Sequence, residues 1–358
     1  MSAEDRTDIR ALSREELKSF VTESLGEKAF RADQIYSWLH EKYAASFDEM
    51  SNLSKDLRKK LADRCELVTL KPVKVYVSKI DGTRKYLMQL PDGNIIESVL
   101  MRYDYGNTAC VSCQVGCAMG CKFCASAIGG LTRDLRTSEI LEEVYAMMRE
   151  SGERISHIVM MGCGEPLQNL DQVIPFIELI SSEGGYHLSK RNITVSTCGI
   201  VPGIKRLAEE EPQVTLALSL HAPTQEKRRE LMPIANKYDL EEVLNACREH
   251  QQKTGRRLTY EYCLVSGVND NNEEARELIA LLDRYPAHLN LIPVNPVKER
   301  DYTRSDRKDI LNFKKLLEKN GINVTIRREI GADIDGACGQ LRKGYLESAE
   351  GSEQAEQS

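Results

Sequence analysis

Three cysteines lie within one short stretch, where Cys117, Cys121 and Cys124 follow a C-x3-C-x2-C spacing. Iron–sulfur clusters are bound by cysteine thiolates, and a four-iron cluster normally takes four of them. This stretch supplies three thiolates, and no obvious fourth ligand stands beside it. The spacing therefore predicts a [4Fe-4S] cluster that keeps one iron open for another ligand.

A structural zinc site is the alternative interpretation of the same cysteines. Zinc in structural sites takes four ligands in tetrahedral geometry, usually from two separated pairs of residues. No second pair of cysteines or histidines lies at zinc-finger spacing from the Cys117–Cys124 stretch. The sequence therefore favours the cluster over zinc.

A glycine-punctuated loop over residues 162–166 follows an apolar stretch that is typical of a buried strand. Its glycines, Gly162 and Gly164, allow the backbone to approach a ligand, and the Glu165 carboxylate suits a cationic group. Other candidate site residues stand at the ends of further predicted strands, and together they predict the lining of one pocket. These residues are Ser196, Ser219, Leu220, His221 and Asn295.

Two isolated cysteines lie outside the cluster motif. Cys110 precedes Cys117 by seven residues, and Cys338 lies in a glycine-rich segment over residues 331–341. The glycines predict a mobile loop beyond the last strand that is able to reach over the mouth of the pocket. An inert buried thiol is the alternative interpretation of either cysteine.

The elements that must position these residues alternate between strand and helix. Predicted strands cover residues 108–113, 155–161, 192–197, 214–220, 258–265, 289–293 and 324–328. Predicted helices cover residues 138–150, 171–181, 203–210, 240–252, 273–284 and 308–319. Repeated β-α units imply an α/β fold with a parallel sheet, here a partial (β/α)6 barrel, because a complete (β/α)8 barrel needs more chain. The active site of such a barrel lies at the carboxyl ends of its strands.

The sequence divides into four segments. Residues 1–65 place apolar side chains at helical spacing and predict a small N-terminal helical accessory domain. Residues 66–105 alternate between apolar and polar side chains around turn signals, which predicts a short antiparallel β extension. Residues 106–345 form the predicted core barrel, and the small polar residues 346–358 predict a disordered tail.

The composition indicates an ordinary globular protein, with 41% hydrophobic and 29% charged residues in a chain of 358. No run of about 18 apolar residues is present, so no membrane span is expected. No apolar signal segment stands at the N-terminus. We therefore expect a cytoplasmic protein whose eleven cysteines serve metal binding and catalysis.

The charge pattern bears on nucleic-acid binding. The net charge of −6 argues weakly against a nucleic-acid partner, but the basic residues are clustered. The clusters lie at residues 58–60, 190–191, 227–229, 256–257, 327–328 and 342–343. A phosphate contact needs only a local basic patch. A solvated surface is the alternative interpretation of each cluster.

The motifs together resemble the radical S-adenosylmethionine (AdoMet) methyltransferases that modify an adenine of 23S ribosomal RNA. The likeness covers about residues 95–345 and rests on the 110–124 cysteine motif, the 164–167 loop, the 219–221 Ser-Leu-His segment and the 333–341 segment around Cys338. Within this family the chain is most similar to the enzymes that methylate adenine C2 in 23S rRNA and in some tRNAs. Pro166 favours this group, because the C8-specific antibiotic-resistance enzymes carry Ala there. A C8-specific enzyme and a zinc-stabilised RNA-binding protein without catalysis are the alternatives.

The resemblance implies a role for each candidate residue. Cys117, Cys121 and Cys124 would bind the cluster, whose open iron chelates AdoMet. One AdoMet would methylate Cys338, and a second would be cleaved to a 5′-deoxyadenosyl radical that takes a hydrogen from this S-methyl group. The resulting carbon radical would add to the adenine, because an sp2 carbon of adenine is too poor a nucleophile for polar methyl transfer. Glu97 would act as general base, and Cys110 would form a disulfide with Cys338 to release the product. The AdoMet site would be lined by Gly164, Glu165, Ser196, Ser219, Leu220, His221 and Asn295.

The resemblance also implies the partners. The substrates would be 23S rRNA and the adenosine next to the anticodon in some tRNAs, with a flavodoxin-type or similar electron donor and a monomeric enzyme. Three extra thiols, Cys113, Cys163 and Cys198, depart from the family pattern. Cys110 and Cys113 could form a redox pair, or Cys113 could ligate iron, but the intact remainder of the pattern favours neither.

Overall fold

A mixed sheet of ten strands forms the centre of the computed structural model, which describes residues 6–341. The first strands of the described chain are β1 (Thr7–Asp8), β2 (Cys65–Glu66), β3 (Lys71–Val77), β4 (Arg84–Gln89), β5 (Ile95–Tyr103), β6 (Gly106–Cys110) and β7 (Gln114–Gly116). They are followed by β8 (Leu131–Asp134), β9 (Ile155–Met160), β10 (Ile193–Thr197), β11 (Thr215–Ser219), β12 (Thr259–Leu264), β13 (His288–Pro293) and β14 (Val324–Ile326). The large sheet has the order β14-β13-β12-β11-β10-β9-β6-β5-β4-β3.

Ten α-helices are present in the described residues, and most of them connect parallel strands. The helices are α1 (Arg14–Ser19), α2 (Phe30–His40), α3 (Lys55–Arg64), α4 (Thr137–Ser151), α5 (Leu170–Ser181), α6 (Val201–Glu210), α7 (Gln225–Leu231), α8 (Leu240–Thr254), α9 (Asn272–Arg284) and α10 (Arg307–Lys319). Strands β6 and β9 to β13 form the six parallel strands of the predicted partial barrel, and the short β14 continues it in parallel. The predicted α/β fold is therefore confirmed.

The central strands are apolar on both faces because helices cover the sheet. Within β11, Leu216, Ala217 and Leu218 are all buried, as expected for a strand with packed neighbours on each side. Helix α6 places Ile204 and Leu207 at helical spacing, and both are fully buried. The regular alternation of strands and helices therefore forms a parallel sheet, and the site lies at the carboxyl ends of its strands.

Helix α7 was not predicted, although it later proves important for the cysteine loop. It has seven residues and lacks the apolar repeat that identifies longer helices. Its start is stabilised by Thr224, whose side-chain oxygen accepts a hydrogen bond from the Lys227 backbone N–H at 3.4 Å. Short helices of this kind depend on capping and tertiary contacts more than on periodicity.

The predicted antiparallel extension is present as β3, β4 and β5. Its last strand also pairs with β6 of the barrel, with Val99 opposite Cys110. The extension and the barrel therefore share one sheet, a continuity that the sequence did not indicate. As a result, Glu97 on β5 lies one strand away from Cys110.

The N-terminal helices are attached to the barrel through a buried cation. Arg10 is fully buried, and its guanidinium donates a hydrogen bond to the Val68 carbonyl at 2.9 Å. It also forms an ion pair with Glu142 of α4, which is equally buried. Burial lowers the pKa of Arg10 to about 9. Because an uncompensated buried charge is costly, this pair fixes the position of the helices on the barrel.

The ends of the chain lie outside the described residues. This applies to residues 1–5 and 342–358, and so to the predicted tail at 346–358 and the basic pair at 342–343. Within residues 6–341, no helix has both the length and the apolar character that a membrane span requires.

Candidate active site

A cavity of about 940 Å³, here called the first cavity, lies at the carboxyl ends of the parallel strands. It brings together ten of the sequence-predicted site residues. They are Cys117, Cys121, Cys124, Gly164, Glu165, Ser196, Ser219, His221, Asn295 and Cys338. The Leu220 side chain is fully buried and is not part of the wall, and Glu97 and Cys110 also lie outside it.

The loop that carries the three motif cysteines is held by two distant segments. The Lys122 backbone N–H donates to the Leu231 carbonyl at the end of α7, at 3.0 Å, and the Ala125 N–H donates to the Gly339 carbonyl at 2.7 Å. Gly116 starts the loop with a φ of +80°, and a Cβ there would collide with the Gly130 carbonyl. The loop conformation therefore requires glycine and depends on helix α7.

The three motif thiols face the first cavity in a largely buried environment. Burial raises the pKa of Cys117 to about 12, and it also raises the pKa of Cys121 and of Cys124. Cluster binding must therefore displace the thiol protons. Among residues 6–341, no three His, Cys, Asp or Glu side chains are arranged to hold a single metal ion. Three cysteines that line one cavity fit a [4Fe-4S] cluster, in which each thiolate binds a different iron.

The glycine loop after β9 forms a backbone cradle against the strand of the cysteine motif. Gly164 has a φ of +112°, and a Cβ there would lie 2.8 Å from the Cys113 sulfur. A Cβ on Gly162 would lie 2.6 Å from the Val111 carbonyl oxygen. Both positions need glycine because no side-chain atom fits between the two segments. Gly162 and Gly164 also line the first cavity, so the loop backbone is exposed to it.

The Glu165 carboxylate is oriented by backbone donors at the wall of the first cavity. Its Oε2 accepts a hydrogen bond from the Cys198 N–H at 2.8 Å, and its Oε1 accepts one from the Leu167 N–H at 3.1 Å. Burial raises the pKa of Glu165. A buried carboxylate with fixed geometry favours a cationic ligand, such as the ammonium group of AdoMet.

The three extra thiols, Cys113, Cys163 and Cys198, are buried. The Cys113 N–H donates to the Cys163 carbonyl at 2.9 Å, and both side chains are buried. Burial raises the pKa of Cys113 and Cys198, and that of Cys163 to about 12. Cys110 packs in a separate hydrophobic cluster from Cys113. The structure therefore does not support a redox pair between Cys110 and Cys113.

His221 has a fixed tautomer in this site. Its Nδ1 accepts a hydrogen bond from the Cys263 N–H at 2.9 Å, so the ring proton lies on Nε2. Burial lowers the pKa of His221 to about 3, and Arg228 contributes to the shift. The residue adopts a φ of +56°, and its ring contacts Phe123 edge to face at 4.8 Å. His221 therefore presents a neutral ring to the cavity.

Hydrogen bonds anchor the loop that carries Cys338 at two points, at Gly331 and at Cys338 itself. The Asp81 Oδ2 accepts a hydrogen bond from the Gly331 N–H at 2.9 Å, which ties the loop to the β3–β4 turn. The Asn295 Nδ2 donates to the Cys338 carbonyl at 3.0 Å. Cys338 is half-buried in this position. These contacts place it at the mouth of the first cavity.

A second cavity of about 580 Å³ adjoins the first at Cys338. Cys110 and Cys338 both line it, together with Tyr103 and Arg327. Cys338 and Arg327 line the first cavity as well. Burial and the neighbouring Cys338 sulfur raise the pKa of Cys110. Cys338 therefore lines both the cavity that contains the cluster cysteines and the cavity that contains Cys110.

Arg327 supplies the positive charge between the two cavities. Its Nη1 lies 3.9 Å from Glu261 Oε2 and 3.4 Å from the Met161 sulfur. The Cys338 sulfur raises the pKa of Arg327, and Glu261 and Cys110 act in the same direction. The guanidinium in turn acts to lower the pKa of the Cys110 thiol, against the opposing effect of burial.

A buried lysine links Glu97 to the loop that carries Cys338. The Lys85 Nζ is 3.6 Å from Glu97 Oε1, and both side chains are about nine-tenths buried. The same ammonium group donates to the Asp335 carbonyl at 3.3 Å. Lys85 therefore connects the candidate base to the loop that carries Cys338.

Comparison with known proteins identifies the family. The chain is 59% identical over 346 residues to the "Probable dual-specificity RNA methyltransferase RlmN" of Lachnoclostridium phytofermentans, covering 97% of both chains. It is 53% identical to the protein of the same name from Clostridium novyi, covering 93% of this chain and 96% of that one. The chain belongs to the RlmN family of radical AdoMet RNA methyltransferases.

Family models and a solved structure agree with this membership of the RlmN family. Residues 7–67 match the "Ribosomal RNA large subunit methyltransferase N-terminal domain", and residues 111–279 match the "Radical SAM superfamily". The fold is similar to a crystal structure of a radical SAM methyltransferase from Sphaerobacter thermophilus. The TM-score is 0.90 at 43% identity, covering 94% of this chain and 99% of that one. The predicted family is confirmed, and the zinc-stabilised binding protein is no longer a competing hypothesis.

The disulfide that the resemblance implied is not formed in this RlmN family structure. All eleven cysteines are free thiols. A bond that forms only during turnover would be absent from the resting enzyme. In this structure, therefore, no disulfide joins Cys110 to Cys338.

Two residues beside the thiols were missed by sequence reasoning. Arg327 was noted only as part of a basic cluster, and Lys85 was placed in a predicted strand without a role. Neither lies in a motif with a recognisable spacing. Their proximity to Cys338 and Glu97 arises from the pairing of β4 with β5 and of β13 with β14, which the sequence could not specify.

Proposed function

We propose that this enzyme methylates C2 of an adenosine in 23S rRNA, and of the adenosine next to the anticodon in some tRNAs, through S-methylated Cys338. The observation that carries the proposal is the position of Cys338, which lines both the cavity of the cluster cysteines and the cavity of Cys110. A methyl carrier needs access to its donor on one side and to its acceptor on the other. Pro166 at the wall of the first cavity supports C2 over C8 by family resemblance.

Cys117, Cys121 and Cys124 would hold the [4Fe-4S] cluster in the first cavity. When bound, the cluster supplies the electron that cleaves AdoMet to the 5′-deoxyadenosyl radical. Glu165 would pair with the ammonium group of AdoMet, and the Gly164 backbone lines the same cavity. The remaining AdoMet contacts would come from Ser196, Ser219, Leu220, His221 and Asn295. Leu220 would contribute through its backbone, since its side chain is fully buried.

Cys338 would react twice in each turnover, which therefore consumes two AdoMet molecules. Its sulfur first accepts a methyl group by polar displacement, losing the thiol proton as S-adenosylhomocysteine leaves. The S-methyl group then loses a hydrogen atom, and its carbon forms a bond to C2 of the adenine. Arg327 lines both cavities beside Cys338 and is the cation nearest to this chemistry.

Release of the product would use the second cavity. Glu97 would remove the C2 proton while the Cys110 thiolate bonds to the Cys338 sulfur. The bond from that sulfur to the transferred carbon would break with its electron pair going to the carbon, which takes up a proton and becomes the methyl group. The single electron left from the radical addition would leave the new disulfide, and the cluster would be its acceptor. Cys110 lines the same cavity as Cys338, which supports this pairing. The resulting disulfide must be reduced before the next turnover.

RNA docking would involve the accessory segment over residues 1–65. A shallow groove in its described part is lined by three basic residues, Lys55, Arg58 and Lys59. Such a patch suits the phosphate backbone of RNA. We further infer a flavodoxin-type or similar electron donor, a cytoplasmic location and a monomeric enzyme.

Nucleoside mass spectrometry tests this proposal. A 23S rRNA fragment and a tRNA are incubated without oxygen with cluster-reconstituted protein, AdoMet and a reductant, using authentic C2- and C8-methyladenosine as retention standards. The expected product is C2-methyladenosine, with none formed by Cys338→Ala. C8-methyladenosine would overturn the regiochemistry, and methylation by Cys338→Ala would overturn the role of this cysteine.

A further inference from the structure

Two tyrosines form a stacked pair at the rim of the second cavity. Tyr103 and Tyr105 flank Asp104 in the tight turn between β5 and β6, which is closed by pairing of Tyr103 with Gly106. Their ring centroids are 4.8 Å apart and their planes differ by 10°. Tyr103 lines the second cavity, whereas Tyr105 is 64% exposed. The aromatic wall of the cavity therefore continues to the protein surface.

The turn holds this aromatic pair in a fixed position. His157 of the neighbouring strand contacts the Tyr105 ring edge to face, with centroids 5.0 Å apart. Gly106 has a φ of +128°, and a Cβ there would collide with the Ser156 hydroxyl. The hairpin thus lies directly against β9. A large aromatic ring that is held rigidly but left exposed contributes little to the core, which is typical of a recognition surface.

Positive charge lies beside the aromatic pair. Arg304, Arg327 and Arg328 all line the second cavity. Arg304 pairs with Glu329 at 2.7 Å, and Arg327 faces Glu261. Arg328 is exposed and makes no ion pair within residues 6–341, so its guanidinium is available to a ligand. An aromatic face beside an available guanidinium matches the base and the phosphate of a nucleotide.

We propose that Tyr103, Tyr105 and Arg328 bind an unpaired nucleotide of the RNA substrate that adjoins the target adenosine. This inference rests on the proposed function, because it assumes an RNA substrate whose target base enters the second cavity. The base of the neighbouring nucleotide stacks on Tyr105, and its phosphate pairs with Arg328. Unstacked bases of loops and bulges are commonly held on aromatic side chains in this way. These three residues, here called the platform, position the RNA strand so that the target base lies beside Cys338.

Steady-state kinetics with an RNA fragment test the platform, with dithionite as reductant so that docking of an electron-donor protein plays no part. Tyr105→Ala is expected to raise the KM for RNA roughly tenfold, the scale of one base–aromatic stack. Tyr105→Phe keeps the ring and is expected to retain the wild-type KM. Arg328→Gln is expected to raise KM and to lower the salt dependence of RNA binding by about one unit of slope. Leu311→Ala, at an exposed position of α10, is the control for loss of a large surface side chain.

Two results would overturn the inference. One is an unchanged KM for RNA in both Tyr105→Ala and Arg328→Gln. The other is a defect of Tyr105→Ala that appears only with a protein electron donor, which would assign the platform to that donor. If the wild-type enzyme methylates no RNA, the proposed function fails. Fluorescence anisotropy of the same labelled RNA with wild-type and Tyr105→Ala protein then decides the platform separately, since equal affinity contradicts it.

Discussion

The two cavities that meet at Cys338 are built in different ways. The first is formed by the cysteine motif and the strand-end loops, and its shape depends on tight backbone contacts such as those at Gly162 and Gly164. The second is formed by side chains from β5, β6, β13, the segment that follows β14 and the Cys338 loop, including Tyr103 and Arg327. The first cavity is specified by local backbone geometry, whereas the second depends on long side chains from distant segments. Substitutions should therefore affect them differently.

The largest expected effect separates cluster binding from methyl transfer. Cys338→Ala should abolish RNA methylation but leave the iron and sulfide content of the reconstituted protein unchanged, because the motif cysteines are intact. Cys117→Ala should abolish both, because it removes a cluster ligand. Elemental analysis and methylation assays on the two variants test this contrast. Loss of iron in Cys338→Ala would show that the two cavities are not separable.

A glycine substitution tests the packing of the first cavity. Gly164→Ala should destabilise the protein and weaken AdoMet binding, because the new Cβ would lie 2.8 Å from the Cys113 sulfur. Gly267→Ala is the control, since Gly267 also has a positive φ, of +69°, but its Cβ would meet nothing within 4 Å. We expect a loss of about 1–2 kcal/mol in the control and about 1–3 kcal/mol more in Gly164→Ala. Chemical denaturation measures both, and equal losses would contradict the proposed collision.

Arg327 tests the electrostatics of the second cavity. Its guanidinium lowers the pKa of Cys110 against the opposing effects of burial and Cys338, so Arg327→Met should raise that pKa further. Fewer Cys110 thiolates would then be present at neutral pH. We expect roughly tenfold slower product release near pH 7, the effect of about one pKa unit, with recovery as the pH rises. Arg327→Lys, which keeps the charge, should lie close to the wild type. A pH–rate profile that is identical in all three proteins would contradict this role.

The last expected effect is on the pH dependence of stability and concerns His221 in the first cavity. Burial lowers its pKa to about 3 in the folded protein, against an ordinary value of about 6.5 in the unfolded chain. The unfolded state therefore binds an extra proton between these values. The stability contributed by the neutral ring is complete above about pH 6.5 and is lost as the pH falls, by up to about 1.4 kcal/mol per pH unit. Unfolding measured from pH 7 to pH 5 should show a shallower loss in His221→Gln, and equal slopes would contradict a neutral buried ring.

The sequence predicted most of the first cavity because its residues lie in local motifs. The cysteine spacing, the loop around Gly164 and Glu165, and the strand ends at Ser196 and Ser219 could be read from short segments. The regular alternation of strands and helices then implied that these segments share one edge of a barrel. The contribution of α7 was missed, because seven residues without an apolar repeat give no periodic signal.

The second cavity could not be predicted from the sequence for a physical reason. Tyr103 and Arg327 become neighbours of Cys110 and Cys338 only through strand register, and one residue of slippage would turn each of them to the other face of the sheet. Family resemblance identified Cys110 and Cys338. It did not indicate that Cys338 lines both cavities whereas Cys110 lines only the second. Long-range pairing of the extension with β6 determines that arrangement.

The most direct test of the account is whether Cys338 carries the methyl group from one cavity to the other. Cys110→Ala should still form the bond between Cys338 and the target base but fail to break it, because the attacking sulfur is missing. Labelled RNA should then remain covalently attached to the protein on a denaturing gel, with the attachment mapped to Cys338 by mass spectrometry. The double variant Cys110→Ala/Cys338→Ala should show no attachment. Normal turnover by Cys110→Ala, or attachment at another residue, would contradict the account.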